Sequence, residues 1–132
     1  MSTSTSAALQ RILGLLHRLC DASFADVGIT LLAVIEDGCT RVILSASGTS
    51  SEMPAGSGAS FRFTHARLDT LLGLGVTEHD LATAAYRELL DQLAASAPDK
   101  TAFMRGVFER LGAECDHDGP VSDEVHRSAI GV

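Results

Sequence analysis

Tryptophan is absent from the 132 residues, tyrosine occurs once, and aromatic residues of all kinds make up 5%. That scarcity removes the stacking platforms on which single-stranded nucleic acid is held. No basic stripe compensates, the formal charge being −7, so direct contact with nucleic acid or an anionic membrane surface is disfavoured. Long apolar runs are missing too: none approaches the roughly 20 residues of a membrane-crossing helix. The stretch Met1 to Ser6 lacks the basic residues of a secretory leader, and Arg11 and Arg18 fall inside the first apolar segment. Cysteine occurs at Cys20, Cys39 and Cys115, an odd, widely spaced set with no C-x-x-C pair. This argues against a disulfide framework and for a reducing compartment, which places the chain in the cytoplasm.

What is present is an apolar run from Gly28 to Ser47 that reads as one β-hairpin. Its midpoint, Asp37-Gly38, tolerates the positive φ values of a two-residue type I′ turn. If Glu36 faces Cys39, Ile35 pairs with Thr40, Ala33 with Val42, Leu31 with Leu44 and Ile29 with Ala46, giving one almost wholly apolar face. The other face holds Thr30, Leu32, Val34, Cys39, Arg41, Ile43 and Ser45, with an apolar centre and polar margins. A sheet buried on one side only would alternate more cleanly. Helices are therefore expected over the first face, and the rest of the chain or another subunit over part of the second. Leu32, Val34, Arg41 and Ile43 are the candidate binding residues.

Around the hairpin the pattern is helical. Residues 1–5 read as a disordered Ser/Thr tail. From Ser6, the residues Leu9, Ile12, Leu13, Leu16 and Cys20 recur at amphipathic spacing, with Gln10, Arg11, His17 and Arg18 facing away. After the hairpin, Gly48 to Ser60 is Gly/Ser-rich and reads as a mobile loop. Phe61 and Phe63 alternate around Arg62, the mark of a short third strand over Ser60 to Thr64. Three helices follow: His65 to Leu72, capped by Thr64 and stopped by Gly73 and Gly75; Thr77 to about Ala95; and Pro98 to Leu111, with Phe103, Met104, Val107, Phe108 and Leu111 on one face and Gly112 as the stop. The reading is α+β: an N-terminal helix, an antiparallel hairpin with a third strand, then three helices packed on the sheet. Residues 6–112 form a single domain, and 113–132 an acidic flexible tail carrying Glu114, Asp116, Asp118, Asp123 and Glu124.

Residue types that carry chemistry are scattered. Glu114-Cys115-Asp116-His117-Asp118 is the densest run of ligand-type side chains, and Cys115 and His117 are weak metal candidates. Adjacent residues of an extended chain point to opposite sides, so this spacing does not chelate, and no metal or cofactor is expected. His65 and His79 stand at helix starts with Asp69 or Asp80 nearby, and Cys39 stands beside the turn, but no convergent catalytic set emerges. Gly56-Ser-Gly58 lacks the Gly-Lys-Ser/Thr ending of a phosphate loop.

Leu74-Gly-Val-Thr77, Ala85-Tyr-Arg-Glu-Leu89 and Pro98-Asp-Lys100 resemble scattered pieces of a J-domain, the co-chaperone module that stimulates the Hsp70 ATPase. The family's His-Pro-Asp tripeptide is here Ala97-Pro98-Asp99, so the resemblance assigns no site residue. The expectation is a small acidic protein-binding module, such as an adaptor, inhibitor, immunity protein or secretion-type chaperone. It would act through an apolar sheet or helix surface on another protein or on itself as a homodimer. The alternative is a small enzyme or ligand sensor whose sheet/helix pocket is closed by loop 48–60, with His65, His79 or Cys39 at its edge.

Overall fold

The structure, a computed structural model, describes residues 3–116. Four helices and three strands follow one another as α1 (Thr3–Ser23), β1 (Ile29–Glu36), β2 (Cys39–Ala46), β3 (Gly58–Thr64), α2 (His65–Gly73), α3 (Glu78–Ser96) and α4 (Lys100–Asp116). The fold is α+β. The strands form one antiparallel sheet in the order β1-β2-β3. The hairpin register is the one expected, from Glu36 opposite Cys39 to Ile29 opposite Ala46.

The period-2 pattern of the strands decides what is buried. Thr40, Val42, Leu44 and Ala46 of β2 turn toward the helices and are buried, joined by Ala59 and Phe63 of β3. Against them pack the stripes of α1 (Leu9, Ile12, Leu16) and α3 (Ala85, Leu89, Leu93), while Phe103 and Val107 of α4 close the far side. The rings of Phe24 and Phe103 stack with centroids 6.2 Å apart. Each fully buried leucine in this core contributes about 1.5–3 kcal/mol through removal of its surface from water.

Several boundaries differ from the sequence reading. Helix α1 begins at Thr3, inside the stretch read as a tail, because the Thr5 hydroxyl is buried and donates to the Asp69 carboxylate of α2. Of Asp37-Gly38 only Gly38 has a positive φ (80°), so the turn is not type I′; one glycine is enough for it. Strand β3 starts at Gly58. The loop before it is pinned, since Met53 is fully buried and Glu52 pairs with Arg110 at 2.5 Å. Thr64 makes no side-chain cap; the first amide of α2, at His65, donates instead to the carbonyl of Gly38 at 3.0 Å. Thr77 does cap α3, accepting from the Asp80 amide. Asp99 accepts from the Ala102 amide, so α4 starts at Lys100, and it runs past Gly112, which keeps a helical φ, to Asp116. Residues 117–132 of the acidic segment lie outside the described residues. Phe108 is 64% exposed rather than buried, because α4 seats itself through Phe103 and Val107.

Candidate protein-binding face

All four helices lie on the same side of the sheet as Val42 and Leu44. The opposite side meets no other element among the described residues. Alternation along the strands sends Leu32 and Val34 of β1, Arg41 and Ile43 of β2, and Ser60 and Arg62 of β3 to that open side. The register sorts them into rows. Leu32 stands opposite Ile43, and Ile43 opposite Ser60; Val34 stands opposite Arg41, and Arg41 opposite Arg62; Glu36 stands opposite Cys39. The four candidate residues named from the sequence are thus immediate neighbours. Leu32 is 58% exposed, and Val34, Arg41 and Ile43 are half-buried by one another.

The electrostatics of this face run against the charge of the whole chain. Arg41 and Arg62 are direct cross-strand partners, a like-charge arrangement that disfavours pairing. A single carboxylate moderates it, Glu36 accepting from the Arg41 guanidinium at 2.9 Å, and Arg62 has no ion-pair partner among the described residues. A shallow groove of about 330 Å³ continues from Ile43 along Ser45 and Ser60 to Gln92. The result is an apolar patch bordered by an excess of positive charge.

The other candidate side chains do not converge. His65 Nε2 lies 2.9 Å from the Thr40 hydroxyl on the helix-covered side. The Cys39 thiol, on the open side, lies 3.9 Å from Glu36. His79 borders a separate groove of about 700 Å³ with Leu15, Leu19 and Leu111. No group of three or more His, Cys, Asp or Glu side chains able to hold a metal occurs among the described residues. Of the tail candidates, Cys115 falls within α4 and His117 outside the described residues.

Two arrangements had no signal in the sequence. The Gln92 side chain of α3 bonds both backbone groups of Ser60 at 2.9 Å, covering the outer edge of β3. Ser23, Tyr86 and Cys20 form a buried cluster under α1, in which burial pushes the Cys20 thiol up to about 12, with the Asp21 carboxylate adding to the effect. Burial raises Tyr86 as well, against an opposing contribution from the Ser23 hydrogen bond. Tertiary packing alone creates both, and neither Gln92 nor Ser23 stands out in the chain. No helix among the described residues is long and apolar enough to cross a membrane. No family model, curated protein or solved structure matches the chain.

Proposed function

We propose that this chain is a small cytoplasmic protein-binding module that acts as a homodimer and takes its partner on the open side of the sheet. Membership of the adaptor, inhibitor, immunity-protein or secretion-chaperone class fits that reading. The observation that carries it is the exposed Leu32 beside Val34 and Ile43 on a sheet face that no helix among the described residues shelters. The Arg41–Arg62 pair supplies the specificity. Two guanidinium groups sharing one carboxylate favour a partner segment that is apolar at its centre and carries an acidic residue at its margin. Cys20 and Cys39 are free thiols, in keeping with a reducing compartment.

The test is quantitative binding of a co-purified partner to the purified chain and to its Ile43→Asp, Arg62→Glu and Phe108→Asp variants. Ile43→Asp is expected to cost at least about 2 kcal/mol, near 30-fold in Kd, as central anchors do. Arg62→Glu should weaken binding and reduce its salt dependence. Phe108→Asp, on the remote helix α4, should leave affinity unchanged. If Phe108→Asp abolishes binding while Ile43→Asp does not, the contact surface is α4 and the sheet-face reading falls.

A further inference from the structure

The two edges of the sheet are treated differently. On β3 the Gln92 carboxamide engages the outward N–H and C=O of Ser60, and α3 packs alongside. On β1 nothing comparable occurs among the described residues. The Gly28 carbonyl accepts from the Ser47 amide, so the even-numbered residues of β1 bond to β2, and the backbone groups of Ile29, Leu31, Ala33 and Ile35 point away from the sheet. Open edges are normally blunted by lysine, proline, a bulge or a covering loop. Between Ile29 and Ile35 there is no charge and no proline, and the pairing register is unbroken. Leu32 and Ile35, two of the large apolar side chains left exposed on the molecule, lie on this strand.

From this contrast we infer that β1 pairs antiparallel with β1 of a second copy, about a two-fold axis at Leu32, to form a continuous six-stranded sheet. The inference rests on the homodimeric reading above and gives it an interface. In this register Ile29 pairs with Ile35 of the second copy and Leu31 with Ala33, in both directions. It is the only two-fold register that uses all four outward-facing residues. On the open side Leu32 meets Leu32, and Thr30 meets Val34. The exposed Ile35 comes to rest against an isoleucine. Identical strands repel when a charge stands opposite itself, and here Glu36 falls opposite Gly28, so the seam is neutral. A second copy suits the edge better than an unrelated strand, because the strand's own apolar sequence complements itself. The two open faces then join into one wide platform for the partner.

Sedimentation of the full chain across a micromolar to submillimolar range tests this, together with Leu32→Lys, Leu32→Glu and their mixture. The wild type is expected to be a dimer, each charged variant a monomer, and the mixture a dimer again as opposite charges meet on the axis. Leu32→Cys should oxidise to a covalent dimer, since directly opposed residues of a non-hydrogen-bonded pair lie about 4.5 Å apart at Cα, within disulfide reach. Wild type and Phe108→Cys treated alike should give none. A monomeric wild type at all concentrations overturns the proposal and leaves the partner-binding face standing. A dimer that Leu32→Lys does not weaken, and that Leu32→Cys does not trap, keeps the homodimer and overturns this interface. A monomer in which the outward amides of Leu31, Ala33 and Ile35 nonetheless resist hydrogen exchange also overturns it, giving the edge to residues 117–132.

Discussion

The Gln92 side chain pairs with Ser60 as a neighbouring strand would, donating to its carbonyl and accepting from its amide at 2.9 Å each. Gln92→Ala removes both bonds. Because the site is exposed, the freed groups are hydrated, and the loss of stability should be only about 0.5–1.5 kcal/mol by urea unfolding. The larger consequence is a second open edge. Light scattering should show higher oligomers in Gln92→Ala that Gln92→Glu, which retains the acceptor for the Ser60 amide, forms less readily.

Ser23 and Tyr86 meet through their hydroxyls at the buried junction of α1 and α3, and the Ser23 hydroxyl also lies within bonding distance of the Leu19 carbonyl. Both bonds form if Tyr86 donates to Ser23 and Ser23 donates to Leu19. Removing one partner then has unequal effects. Tyr86→Phe leaves Ser23 still bonded to Leu19 and should cost about 1 kcal/mol. Ser23→Ala leaves a buried phenol without an acceptor and should cost about 1–3 kcal/mol. Chemical denaturation of the two variants would show Ser23→Ala as the less stable; the reverse order would contradict the assigned donor direction.

Alkaline pH should weaken the fold through the same cluster. The Cys20 thiol is pushed up from 9.0 to about 12, first by burial and then by Asp21. From pH 9 to about 12 the unfolded chain therefore binds fewer protons than the folded one, and stability falls as pH rises, by at most about 1.4 kcal/mol per pH unit for this group. Tyr86, also raised by burial, steepens the loss above pH 10. Below pH 9 neither group contributes a slope. Cys20→Ala should flatten the fall that begins near pH 9, as followed by urea midpoints at successive pH values.

The architecture was readable because it rests on periodicity. The hairpin register follows from Asp37-Gly38 and an apolar alternation, and the α1 stripe of Leu9, Ile12, Leu13, Leu16 and Cys20 is buried residue for residue as its spacing requires. Misreadings came where a contact distant in sequence overrides local chemistry. Thr5 belongs to a helix because Asp69 receives its hydroxyl, and the cap of α2 is a carbonyl from the hairpin turn. Phe108 fits the apolar pattern of α4, yet that helix has too little surface against the core to bury it. The face carrying Leu32, Val34, Arg41 and Ile43 was legible from alternation alone. Its charge was not, because the Arg41–Arg62 pairing requires the register of the third strand.

The loop from Gly48 to Ser57 shows how composition can mislead. Its glycines and serines suggest slack, and a slack loop would tolerate substitution. Met53, however, is fully buried within the core cluster, and Arg110 ties the loop to two elements at once, reaching Glu52 at 2.5 Å and the Ser23 carbonyl at 3.0 Å. Gly48 adds a conformational lock. Its φ is +82°, and a Cβ there would lie 2.6 Å from that of Ala55. Met53→Ala should therefore cost about 2–5 kcal/mol, the loss from truncating a buried methionine. Gly48→Ala should be strongly destabilising through strain and clash together, and Gly56→Ala, strained at φ +87° but in open space, should cost less. Thermal unfolding with limited proteolysis would rank the three variants. A lid hinged at these glycines would show the opposite behaviour, with Met53→Ala near neutral and cleavage at the loop already rapid in the wild type. Early loop cleavage in Met53→Ala, with a wild-type loop that resists protease, would mark the buried thioether as the anchor.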